Sequence, residues 1–257
     1  MPFANNGSVR LNYDVVGNGP DIVLIHANPF DRRLWRFQVE DFSDRFRMIG
    51  LDLRGYGASD KPDVPFTFDD MAADVCAVCA AAQVDRAIFM GASLGSSLAL
   101  RIALDDPDRV SKLVLVGGNA GVAASGKARI AGYETEGIAY RDSHIHDLVA
   151  PGFAETRRGK ILLDVFLGDS ADLNSTTIAN VFRAMEGRDM TDRVPGLQAP
   201  TLVVNGEHDL SLAGGRRTAD LAPDARHVVL PDTGHVCNYE DPDAFNDVLR
   251  EFLDGAG

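Results

Sequence analysis

Ser93 lies in Gly91-Ala92-Ser93-Leu94-Gly95, a G-x-S-x-G pattern. A serine hydroxyl is a weak nucleophile until a base takes its proton and a carboxylate orients that base. The chemistry to seek is therefore acyl transfer, with an acid and then a histidine following the serine along the chain. Six histidines are available. His26 precedes the serine and ends an apolar run, so it reads as a loop support. His144 and His146 fall in a stretch without strand pattern and read as solvated. His208 adjoins Asp209, and His227 opens an apolar run. His235 lies in Thr233-Gly234-His235, just past the run Val228–Leu230, where a base can reach back over a sheet edge. Asp209 follows the run Thr201–Asn205 and is the preferred acid, with Glu207 its rival; the equivalent position after the preceding run, near Asn119, carries no charge.

The oxyanion of an acyl-transfer intermediate needs two backbone N–H donors. One candidate is Leu94, directly after the nucleophile. The other is Asn28 in the loop His26-Ala27-Asn28-Pro29-Phe30, because Pro29 has no N–H to give. Phe30 and Trp35 are candidate substrate contacts, and with Phe153, Phe166 and Phe182 could line an apolar acyl pocket. Such a set needs neither metal nor cofactor.

These residues require elements that hold them. Ile22–His26, Met48–Leu51, Ala87–Met90, Lys112–Val116 and Thr201–Asn205 are short and continuously apolar, the pattern of strands covered on both faces. Val9–Val16 alternates and reads as an edge strand. Phe68–Ala82, Ser96–Leu104 and Pro242–Leu253 carry helical spacing, the last with Asp241 as its N-cap. Strands alternating with helices predict a mostly parallel sheet with helices on both faces, whose ligand site lies at the carboxyl ends of the strands. Gly91-Ala92-Ser93-Leu94-Gly95 falls between such a strand and such a helix, where the tight turn holds the serine clear of the sheet and its glycines avoid collisions. From Gly118 to about Pro200 the rhythm breaks into helical pieces, around Ser143–Leu148, Arg158–Phe166, Ser175–Met185 and Met190–Val194. The expected organisation is a core of residues 1–117 and 198–257 with a helical cap, 118–197, over the sheet edge.

The 257 residues carry a net charge of −13, with 45% hydrophobic and 25% charged residues. That suits one folded domain and disfavours nucleic acid or an anionic membrane as partner. No apolar run approaches the roughly 18 residues that span a bilayer, and Met1–Arg10 does not read as a signal peptide. A cytoplasmic location is the expectation. Cys76, Cys79 and Cys237 are too few and too unevenly placed for a disulfide framework or a zinc site, and the C-x-x-C sits in an alanine-rich helical stretch.

Taken together, these stretches resemble the α/β-hydrolase superfamily, in its branch of small serine esterases, lactonases, C–C bond hydrolases and cofactor-free haloperoxidases. HANPFDRRLW is similar to the family's oxyanion loop, and Asp52-Leu53-Arg54-Gly55-Tyr56-Gly57-Ala58-Ser59-Asp60-Lys61-Pro62 to its D-x-R-G-x-G-x-S-D-x-P segment. GASLGS is similar to its elbow, and Asn205–Asp209 with Gly234-His235 and Glu240-Asp241-Pro242 to its acid and base loops. Two departures are Ala27, where the family has a second loop glycine, and Ser96, where the elbow has another. The resemblance implies hydrolysis of a carboxylic ester or lactone through an acyl-enzyme on Ser93. A C–C hydrolase of a vinylogous diketone, perhydrolysis, and a low-turnover small-molecule receptor of the same fold stay open, as does monomer or homodimer.

Overall fold

The computed structural model describes residues 2–122, 126–168 and 173–255, so the cap positions 123–125 and 169–172 lie outside the described residues. Eight strands form one sheet: β1 (Phe3–Asn6), β2 (Val9–Val16), β3 (Asp21–Ile25), β4 (Arg47–Leu51), β5 (Ala87–Ala92), β6 (Val110–Val116), β7 (Thr201–Gly206) and β8 (Ala225–Leu230), in the order β1-β2-β4-β3-β5-β6-β7-β8. The β1–β2 and β2–β4 pairs are antiparallel; every later pair is parallel. The helices of the core are α1 (Arg36–Phe42), α2 (Phe68–Ala81) and α3 (Leu94–Asp105). Between β6 and β7 the described residues are helical: α4 (Gly126–Thr135), α5 (Ala139–His144), α6 (Arg157–Leu163), which runs into a π turn at Asp164–Gly168, and α7 (Ser175–Ala184), with short 3₁₀ turns between them. The core resumes with α8 (Leu212–Leu221), α9 (Cys237–Glu240) and α10 (Pro242–Leu253).

The apolar runs are buried strands because successive side chains point to opposite faces and both faces are covered. Val23, Ile25, Ile49, Phe89, Leu113 and Val203 join one core with α2 and α3. Ile22, Leu24, Met48, Met90, Val114 and Val204 join the other, with Phe42 of α1 and Phe245 and Leu249 of α10. Thr67 caps α2: its Oγ1 accepts the Asp70 N–H at 3.1 Å while Asp70 accepts the Thr67 N–H at 2.8 Å. Asp241 caps α10 by accepting the Ala244 N–H at 3.2 Å.

Several elements differ from expectation, among them β1, α1, β2, α8 and α4. β2 is not an edge strand, because Phe3–Asn6 pairs along it as β1. α8 contains Gly214 and Gly215, which hide its helical character; a Cβ at Gly215 would lie 2.1 Å from Asn205 Oδ1, so close approach to β7 requires the glycine. α4 was masked in the same way by Gly132, packed on the Tyr140 ring. Cys76 and Cys79 lie on α2 facing the first core, and burial pushes the Cys79 thiol up to about 12, so both are packing residues. Among the described residues no helix is long and apolar enough to cross a membrane.

Candidate active site

Ser93 occupies the turn between β5 and α3 with φ 50° and ψ −108°. A non-glycine residue in that region is strained, and surrounding structure has to impose it. The imposition is visible. The Ser93 N–H donates to Val116 O at 2.8 Å. A Cβ at Gly91 would lie 2.2 Å from Gly95 O, and one at Gly95 would lie 2.1 Å from Ile25 O. The turn thus closes only with glycine at both places. Ser96, the departure noted above, is buried with its Oγ 2.6 Å from Gly91 O and 3.0 Å from Val116 O. It ties the turn to β6, and Gly118 leaves the space for it: a Cβ there would meet Ser96 Cβ at 2.3 Å.

The acid loop after β7 and the base loop after β8 touch through backbone, since a Cβ at Gly206 would lie 2.2 Å from Gly234 O. His235 Nδ1 lies 2.7 Å from Asp209 Oδ1. The same oxygen accepts the Ser211 N–H at 2.8 Å, and Oδ2 accepts from Asn205 Nδ2 and Ser211 Oγ, each at 2.8 Å. Burial alone would raise the Asp209 pKa; the His235 charge and these hydrogen bonds outweigh it and hold the carboxyl down to about 2. Asn205 Oδ1 in turn lies 3.0 Å from His227 Nε2, which fixes the amide's orientation. An ionised Asp209 accepting from Nδ1 leaves Nε2 of His235 to act as base. The rival Glu207 is exposed and accepts the Asp232 N–H at 3.1 Å. With His208 and Asp232 it forms an exposed surface group rather than part of this network.

Ser93, Leu94, Asn28 and His235 line one cavity of about 790 Å³. Leu94 opens α3, where the first N–H groups of a helix have no partner within it. His235 packs on Gly117, where a Cβ would lie 3.0 Å from its Nδ1. His26 does support the loop: its Nε2 accepts the Leu53 N–H at 3.0 Å, and Nδ1 lies 2.9 Å from Ala27 O.

Phe30 and Trp35 do not line the cavity. Both are fully buried in the second core, Phe30 edge-on to Phe166, because α1 and the turn before it press this segment onto the sheet. Of the aromatic candidates only Phe182 reaches the cavity. His144 is also misjudged by its sequence surroundings. It is buried, its Nε2 lies 3.5 Å from Asn28 Nδ2, and burial, reinforced by Arg129, pushes its pKa down to about 3. The Tyr56 hydroxyl donates to Asn28 Oδ1 at 2.8 Å, so the Asn28 side chain is held from the far side. Glu240 is a further participant. Its carboxylate accepts the Gly234 N–H at 2.9 Å and the Ala150 N–H at 2.7 Å, and burial raises its pKa to about 7. The His235 N–H donates to Leu148 O at 2.9 Å. The base loop is therefore tied at Gly234 and His235 to the segment 148–150.

The family with the alpha/beta hydrolase fold matches residues 20–132. A putative carbamate hydrolase, RutD of Rhizobium rhizogenes, is 32% identical across 85% of this chain and 87% of its own length. A 2-hydroxy-6-oxononadienedioate/2-hydroxy-6-oxononatrienedioate hydrolase of Burkholderia vietnamiensis is 28% identical across 95% of this chain and 91% of its own. The crystal structure of the enol-lactonase from Burkholderia xenovorans LB400 superposes with a TM-score of 0.92 at 29% identity, covering 98% of this chain and 100% of that one.

Proposed function

Given that this chain belongs to the alpha/beta hydrolase family, we propose that it hydrolyses a carboxylic ester or lactone through an acyl-enzyme on Ser93. The observation that carries this is the 2.7 Å contact of buried Asp209 with His235, which lines the same cavity as the strained Ser93. His235 Nε2 takes the Ser93 proton as Oγ attacks the carbonyl carbon. The N–H groups of Asn28 and Leu94 receive the oxyanion. His235 then protonates the departing alkoxide, the C–O bond breaks, and the acyl group stays on Ser93. Water, deprotonated by His235, attacks the acyl-enzyme and releases the acid, while Asp209 keeps the imidazole oriented. The enol-lactonase likeness supports a lactone or ester as the bond cleaved.

A second reading, C–C bond hydrolysis with the same three residues, is favoured by the Burkholderia vietnamiensis relative. Assay of p-nitrophenyl esters and simple lactones separates the two. Turnover is expected on these substrates, and Ser93→Ala should lower kcat/KM by about a thousandfold or more. A fluorophosphonate should add its mass to the peptide holding Ser93. No ester or lactone turnover, or labelling elsewhere, counts against the reading.

A further inference from the structure

The cavity wall contains a cation that acyl transfer does not use. Arg188 follows α7 and lines the cavity that holds Ser93 and His235. Its Nε and Nη1 are shut off from solvent and have no hydrogen-bond partner among the described residues. Its guanidinium stands 6.0 Å from the centre of the Phe68 ring, a contact that offsets only part of a buried charge. The neighbouring carboxylate, Asp189, is exposed and accepts the Thr191 N–H at 2.9 Å instead of pairing with Arg188. Burial lowers the Arg188 pKa to about 10, which leaves it charged at neutral pH.

The other charges of the wall are arranged around it. Arg129 is half-buried beside the Phe182 ring and feels the field of Asp147. Lys127, Asp147 and Glu186 are exposed, so water screens them. The sheltered part of the wall is thus cationic in a protein whose net charge is −13. A buried charge without a counter-ion is costly, and Nη2, the one guanidinium nitrogen of Arg188 not shut off, is the atom through which the residue lines the space a substrate would fill.

We propose that this cavity selects an ester or lactone bearing a carboxylate remote from the scissile carbonyl, with Arg188 as the anchor for that carboxylate. A single carboxylate matches the guanidinium of Arg188, which has no counter-ion among the described residues, and Phe182, Met185 and Leu148 supply the apolar wall for the chain that joins the two groups. The proposal rests on the acyl-transfer reading, and its test keeps the two apart.

The test compares p-nitrophenyl hydrogen adipate with its neutral twin, p-nitrophenyl methyl adipate, as a ratio of kcat/KM within each protein, so that partial loss of folded enzyme cancels. The wild type should favour the anion by about tenfold or more, the strength of a charge-assisted hydrogen bond. In Arg188→Gln the ratio should fall to roughly unity, and Arg188→Lys should keep part of it, since it restores charge without the planar fork. A wild-type ratio at or below one, or one that survives Arg188→Gln, overturns the proposal. Binding gives the second arm: adipic acid monoamide should bind Ser93→Ala about tenfold tighter than adipamide, and Ser93→Ala/Arg188→Gln should not discriminate. If that binding holds while no ester is turned over, acyl transfer fails and the anion site stands. If esters are turned over without preference for charge, the anion site fails alone.

Discussion

Asp209 shows how one residue joins stability to chemistry. Its carboxyl is held at about 2 against an ordinary 3.8, so the folded state favours the ionised form. A depressed pKa contributes stability that is fully present above the ordinary value and disappears as pH falls through the folded one. The shift is worth about 2 kcal/mol. Asp209→Asn should therefore be less stable than wild type at pH 6. The gap in urea-unfolding free energy should narrow by about that amount between pH 4 and pH 2; a gap that stays constant over this range would show that Asp209 titrates as an ordinary carboxylate. The variant should also lose most of its turnover, because an amide presenting its N–H to Nδ1 favours the wrong imidazole tautomer. Ser96 and Gly118 form a second residue-scale unit. Gly118→Ala should destabilise by about 1–3 kcal/mol through the clash with Ser96, and Ser96→Gly should recover part of that. The double-mutant cycle should thus show coupling near 1 kcal/mol; additive effects would mean the two side chains do not compete for the same space.

At the scale of elements, the loops that carry Ser93, Asp209 and His235 belong to different strands and are aligned by backbone contacts rather than by their own sequence. Glu240 is the clearest case, since α9 places one carboxylate against both the base loop and the cap. Glu240→Ala leaves two buried N–H groups without acceptors, at about 1–3 kcal/mol each. The expected result is a lower thermal midpoint together with a fall in kcat that exceeds any rise in KM for a small ester. A variant that loses stability but keeps wild-type kcat would make Glu240 a structural tie only.

At the scale of the whole molecule, central strands sealed on both faces contrast with the short helices of the described residues between β6 and β7. β5 and β7 are buried along their full length, whereas α4, α5 and α6 each carry exposed residues and run only 6–10 residues. Short helices held by one face open locally at lower cost than central strands. Hydrogen exchange should therefore show cap amides exchanging well before those of β3, β5, β6 and β7. Equal protection would mean that cap and sheet open as one unit.

What the sequence determined alone was whatever depends on local pattern. Continuous apolar runs mark strands buried on both faces, so β3 to β7 were legible to within a few residues. Gly91 and Gly95 around Ser93 mark a turn that only glycine can close, and the order Ser93, Asp209, His235 follows from loops placed just after strands. What only the tertiary structure decided was whatever depends on contacts across distant segments. Phe30 and Trp35 look like pocket residues but sit in the core, because α1 turns them away from the cavity. His144 looks solvated but is buried against Asn28, some hundred positions earlier in the chain. Asn205, His227 and Glu240 carry no local signature of their support for His235. Arg188 reads as an ordinary charge in a polar stretch. Its isolation appears only once the cap closes over the sheet, because a counter-ion is a matter of neighbours in space.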